Sequence, residues 1–140
     1  MTVPPEYRTA SRNFERFLDE VRQQAMLATH NLSYAMTRAV LHVFRDHLPV
    51  QDAIDFANLL PPLLRSIFVE NWHLVENPPA FGARAVLTRE VLAVREAHNS
   101  SPDSAIGDVA AVLRRHVDVR AFDRLLARLP HGAAEYWAVP

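Results

Sequence analysis

Apolar residues recur along this chain at intervals of three and four, the spacing of one face of a helix, rather than in the alternation of a strand. Phe14, Phe17, Leu18, Val21, Ala25 and Ala28 keep that rhythm, while Glu15, Arg16, Asp19, Glu20 and Arg22 fall mostly elsewhere, which predicts a first helix over 11–29. Ser33 is expected to cap a second helix whose Tyr34, Leu41, Phe44 and Leu48 share one stripe, and Pro49 stops it. A third helix is expected over 50–60, with Val50, Ala53, Ala57 and Leu60 turned inward.

Pro61 prevents that helix from continuing, because proline lacks the amide donor and clashes with the preceding turn. Pro62 suits the first turn of a fourth helix, where no donor is needed. The stretch "HLVENPPAFG" at 73–82 has the prolines and mixed polarity of a connector. Beyond it helices are expected over 83–97, 102–116, 119–129 and 130–137. "SSPDS" supplies a serine cap with proline at the first helical position, and Asp118 is a similar cap for the next helix. With only three glycines, the chain reads as all-α, a compact bundle of about eight helices.

An internal repeat organises these elements. At an offset of 69, the segment 40–68 faces 109–137, and Val43, Arg45, His47, Val50, Leu60 and Pro61 meet identical residues at Val112, Arg114, His116, Val119, Leu129 and Pro130. Phe44 with Leu113, Leu48 with Val117, and Phe56 with Leu125 keep apolar character. The expectation is one domain over 1–140 built from two similar halves, about 11–72 and 81–137, each covering the apolar face of the other about a pseudo-twofold. The Leu-Pro break then becomes a corner present in both halves.

"TRAVLHVFRDHLP" followed by "ANLLPPLLRSIFVENW", with the degenerate second copy "VAAVLRRHVDV" and "LLARLPHGAAEYW", resembles the uncharacterised bacterial family catalogued as domain of unknown function 2267. The resemblance runs from about Phe14 to Trp137, and its most specific part is the segment from Leu60 to Arg65 followed by Trp72. It implies an all-helical bacterial protein without an established activity, and it supplies no catalytic or ligand residues. The chain departs from it mainly in the second half, where Gly132, Ala133 and Ala134 stand opposite Leu63, Leu64 and Arg65.

Composition narrows the function classes. A chain of 140 residues can bury roughly 70% of its unfolded surface, enough for one core without disulfide or metal. The 15 basic residues are all arginine and the 16 acidic residues nearly cancel them, so the strong positive field of a dedicated nucleic-acid binder is missing. The arginine bias itself fits a GC-rich bacterial genome. Zero cysteines exclude thiolate chemistry and cysteine-ligated zinc. Charged residues interrupt every apolar span short of the roughly 18 residues that a membrane helix requires, and the N-terminus has no apolar signal core, so a cytoplasmic protein without a membrane role is expected.

Candidate chemistry is sparse. His47 and His116 occupy equivalent repeat positions and are expected at helix C-termini, capping carbonyls and complementing the dipole, rather than binding metal. Glu70 and His73 form one Glu-x-x-His pair, where a di-iron site needs two such pairs and further glutamates. Neither a Gly-x-Ser-x-Gly turn nor a phosphate-cradling glycine loop occurs. Arg8, Arg12 and Arg16 share one face, and Arg114, Arg115, Arg120, Arg124 and Arg128 enrich the last third, but acids dilute both sets as on ordinary solvated helices. Arg65, Trp72 and Trp137 are the candidate recognition residues, since arginine and tryptophan anchor interfaces and both tryptophans sit near segment ends, where partial exposure is expected.

The sequence therefore favours a non-catalytic interaction or regulatory module that uses no cofactor and engages a protein partner or a second copy of itself. The alternatives are a small-molecule binding protein or enzyme with a pocket between the halves, and a weak nucleic-acid binder through the arginine faces.

Overall fold

The computed structural model describes residues 2–94 and 102–139. Among these the chain is all-helical, with nine helices: α1 (Pro5–Arg8), α2 (Ala10–Gln24), α3 (His30–Asp46), α4 (Val50–Ala57), α5 (Pro62–Val69), α6 (Arg84–Ala93), α7 (Ala105–Leu113), α8 (Val119–Arg128) and α9 (Ala133–Tyr136). α1 adds a turn the periodicity did not predict, because its four residues bury nothing.

Where boundaries differ from expectation, local chemistry accounts for the difference. α2 stops at Gln24 because Met26 takes a left-handed φ of 56° and Leu27 N–H returns to Arg22 C=O at 2.8 Å, a Schellman closure made without glycine. Ala28 consequently lies exposed rather than on the α2 core face. Thr29, not Ser33, caps α3: its hydroxyl accepts the Leu32 N–H at 3.2 Å. Ser33 is buried inside the helix, donating to Leu18 C=O at 2.6 Å. α4 ends early in tight turns from Asn58 to Leu60, and Val50, expected to face inward, is 47% exposed at the first helical position while Phe56 is buried. The expected cap at Ser101 falls outside the described residues; α7 begins at Ala105 behind Ser104. Asp118 does cap α8, accepting Ala121 N–H at 3.2 Å.

α3 is the hub, packing on α2, α5, α6 and α7. Ten of its residues from Ser33 to Arg45 are buried, so it lacks the broad polar face of a surface helix. Phe44 on α3 sits within 4.7–5.4 Å of Phe56, Tyr136, Trp137 and Phe81, and Phe56 continues the cluster to Phe68 and Phe122. These spacings are those of favourable offset and edge-on aromatic pairs. The space between the two stretches of chain is thus occupied by rings.

The order of helices repeats at the offset seen in sequence. α4 begins at Val50 and α8 at Val119, α2 ends at Gln24 and α6 at Ala93, and α5 falls over α9. The packing follows the same exchange, since α2 lies on α7 as α6 lies on α3.

Candidate functional site

The residues that invited a chemical reading are mostly tied into the scaffold. His47 lies at the C-cap of α3, but its ring is turned away from that helix's own carbonyls. Its Nδ1 lies 3.0 Å from Pro79 C=O and 3.2 Å from Ala80 C=O, its Nε2 lies 2.9 Å from a Glu90 carboxylate oxygen, and it stacks on Phe81. His116, just beyond α7, has its Nε2 2.6 Å from Glu20 on α2 and sits edge-on to Phe17. Each histidine therefore bridges from the end of one helix to a glutamate of the other half. The pairs correspond at offsets of 69 for histidine and 70 for glutamate.

His42 does cap a helix end, though not its own. Its Nε2–H donates to Ile67 C=O of α5 at 2.7 Å, and since a carbonyl only accepts, that nitrogen carries the ring proton. Burial, followed by the charges of Arg45 and Arg38, holds its pKa below the ordinary imidazole value despite the opposing hydrogen bond. One turn on, the Arg45 guanidinium is only 5% exposed and donates to Phe68 C=O and Glu70 C=O, both at 3.0 Å. α3 thus closes the C-terminus of α5 with two side chains, satisfying carbonyls a helix end leaves open.

Arg65 performs the same service at the proline corner. Its Nε–H donates to Ala57 C=O and its Nη2 to Leu60 C=O, both at 3.1 Å, and Nη1 reaches the Tyr7 hydroxyl at 3.5 Å. Pro61 has no amide to offer Ala57 C=O, which accepts Leu60 N–H at 3.0 Å, and the guanidinium adds a second donor there and one to Leu60 C=O. The second corner is built differently. Gly132 takes φ 97°, and a Cβ there would lie 2.6 Å from Phe81 Cβ, so glycine allows both the turn and the seating of Phe81.

Trp137 is not partly exposed, as its place near a segment end suggested. It is 0% exposed in the aromatic cluster, and its carbonyl accepts from Arg114 at 3.0 Å. The terminal segment turns into the core at α9, so this indole offers no surface to a partner in the folded chain.

Trp72 is different. It is half-buried, with the Arg45 guanidinium 5.5 Å over its ring, and it lines a cleft of about 780 Å³. Pro49 and Val50 form one wall of that cleft, and residues 71–79 form the other. Asn71, at a left-handed φ of 54°, turns the chain out of α5 into this connector. Leu74 and Val75 are 65% and 59% exposed there, beside the acidic side chains of Asp46 and Glu76. From 71 to 82 the backbone makes no hydrogen bond to other backbone among the described residues. Sequence reading named Trp72 but passed over Leu74 and Val75; the available signal was an adjacent apolar pair within a polar, proline-bearing connector.

Two smaller clefts have arginine on their rims. One, of about 380 Å³, lies at the double proline beside Arg16, His116 and Asp118; the other, about 610 Å³, lies between α4 and α8 beside Arg124, Arg128 and Asp55. Arg128 pairs with Asp55, Arg115 with Glu20 and Arg114 with Asp123, so several of the basic side chains on the last third are partnered by acids. Glu70 pairs with Arg38 while His73 is exposed. Among the described residues no group of three or more histidines and carboxylates is placed to hold a metal ion, and no helix is long and apolar enough to cross a membrane.

Residues 14–136 match the family model described as "Uncharacterized conserved protein (DUF2267)". No curated protein matches the chain.

Proposed function

The chain belongs to the DUF2267 family of uncharacterized conserved proteins, and from that premise we propose that it is a non-catalytic helical interaction module whose recognition surface is the Trp72 cleft with the connector at 73–76. The observation that carries this reading is the pair Leu74 and Val75. Their large apolar side chains stand exposed beside Trp72 on a stretch of chain with no backbone partners of its own among the described residues. Adjacent exposed apolar side chains beside a half-buried aromatic and arginine have the makeup of an interface centre.

The scaffold supports the same conclusion from the other side. His42, His47, His116, Arg45 and Arg65 each spend their donors on helix ends or on the opposite half. A small-molecule pocket enclosed between the halves has less support, because rings fill their shared core and the clefts at the double proline and between α4 and α8 open at the surface. The test is affinity capture from the native host with the full chain, comparing the parent with a Leu74→Asp/Val75→Asp variant of unchanged melting temperature. The expected result is a defined partner lost from the variant; matching capture profiles contradict the reading.

A further inference from the structure

The connector that carries the proposed surface has a sequence property that identifies its partner. Residues 73–76 read His-Leu-Val-Glu. Laid antiparallel against itself about the point between Leu74 and Val75, this segment sets Leu74 opposite Val75 of the second copy and His73 opposite Glu76 of the second copy. Apolar faces apolar at the centre, and at each end an imidazole N–H faces a carboxylate acceptor. One register satisfies both conditions, and it is an isologous twofold in which each contact occurs twice.

We propose that this segment pairs with the same segment of a second copy of the chain, making the Trp72 face a homodimer interface. This rests on the reading of that face as the recognition surface and names its partner. The segment is irregular in the single chain and bends at Glu76 and Asn77, so pairing straightens it at that end. Among the described residues no hydrogen bond from backbone elsewhere in the chain engages 73–76, so the donors and acceptors of that segment are open to a second strand, while the Pro79 and Ala80 carbonyls beyond it already face His47.

The length of the ladder is limited by the sequence itself. Pro78 and Pro79 have no amide donors and stop pairing on one side. Asn71, with its left-handed turn out of α5, stops it on the other. Half-buried Trp72 and exposed Val50, on the same cleft, add apolar surface flanking the paired strands. A short ladder with this flank falls at the small end of specific interfaces, so association is weak and depends on concentration.

The inference is tested by sedimentation velocity on the full chain from about 5 µM to about 1 mM, the range where interfaces of this size assemble. The parent is expected to pass from monomer to dimer over that range, and Val75→Asp is expected to stay monomeric with its melting temperature unchanged. Glu76→Arg is expected to weaken the dimer by about tenfold, and the exchanged pair His73→Glu/Glu76→Arg to restore it to within about threefold. A parent that is monomeric throughout, or a dimer indifferent to these substitutions, overturns the inference. A monomeric chain that nevertheless captures another protein through Leu74 and Val75 overturns this inference and leaves the broader reading standing.

Discussion

Arg45 and Arg114, 69 positions apart, make the same bond: each donates to the carbonyl of an aromatic residue 23 positions further on, Phe68 and Trp137, at 3.0 Å. Each guanidinium also lies over an aromatic ring, Trp72 at 5.5 Å and Phe122 at 5.2 Å. The end of a short helix is thereby fastened to α3 in one case and to the C-cap of α7 in the other. The two sites differ in burial, Arg45 being the more enclosed.

That difference predicts unequal effects of truncation. Arg45→Ala leaves two carbonyls at the end of α5 without their donor and is expected to cost about 2–4 kcal/mol, since hydrogen bonds to a charged group contribute about 1.5–3 each and a deserted acceptor adds its own cost. Arg114→Ala is expected to cost less than half as much. Arg45→Lys should recover only part of the loss, because one nitrogen, Nη1, serves both carbonyls but lysine gives up the Nε bond to Asp46 and the planar group over Trp72. Urea denaturation of the three variants reads this order.

Arg65 was legible in the sequence as unusual, yet its role was not, because its acceptors are the carbonyls of Ala57 and Leu60 and backbone atoms leave no sequence signature. Arg65→Ala is expected to lower stability by about 1–3 kcal/mol. Leu74 and Val75 lie elsewhere on the chain, so binding measured well below the melting temperature should be unchanged. A variant of parental stability that has lost its partner would reverse the assignment.

The glycines separate a required residue from tolerant ones. Gly132→Ala forces a Cβ to 2.6 Å from Phe81 at φ 97° and is expected to destabilise by about 2 kcal/mol or more. Gly107→Ala meets only the flexible end of Arg84, at 3.3 Å inside α7, and should be neutral or stabilising by up to about 1 kcal/mol through helix propensity. Thermal melts check the contrast, with a clear loss expected for Gly132→Ala and no loss for Gly107→Ala.

His42 sets a pH dependence. Its pKa is lowered in the folded chain, chiefly by burial, so below the ordinary imidazole value of about 6.5 the unfolded chain binds a proton that the folded chain resists. Its contribution is whole above that value and is lost as pH falls through the window down to the folded value. The parent is expected to lose more stability than His42→Gln between about pH 7 and pH 5. Equal slopes in the two proteins would contradict this.

Much of the fold could be read from the chain. The three-and-four periodicity located the principal helices, the Leu-Pro pairs located both corners, and Pro49 and the Asp118 cap placed the starts of α4 and α8 at Val50 and Val119. What escaped depended on three-dimensional closure. Met26 ends α2 in a conformation usually given to glycine, so the pattern ran on past it. Trp137 lies near a segment end, where partial exposure is expected, but α9 carries it into the ring cluster around Phe44 and Phe56. Leu74 and Val75 carried no periodic signal because they belong to no helix, and that is also why their side chains remain exposed.

The central claim is that recognition occurs at the Trp72 face, and site-specific photocrosslinking in living cells of the native host addresses it most directly. A photoreactive amino acid is placed at Val75, and separately at Arg124 on the exposed side of α8. The account predicts a discrete crosslinked species from position 75, abolished by Leu74→Asp, and none from position 124. Crosslinking from position 124 alone would contradict it.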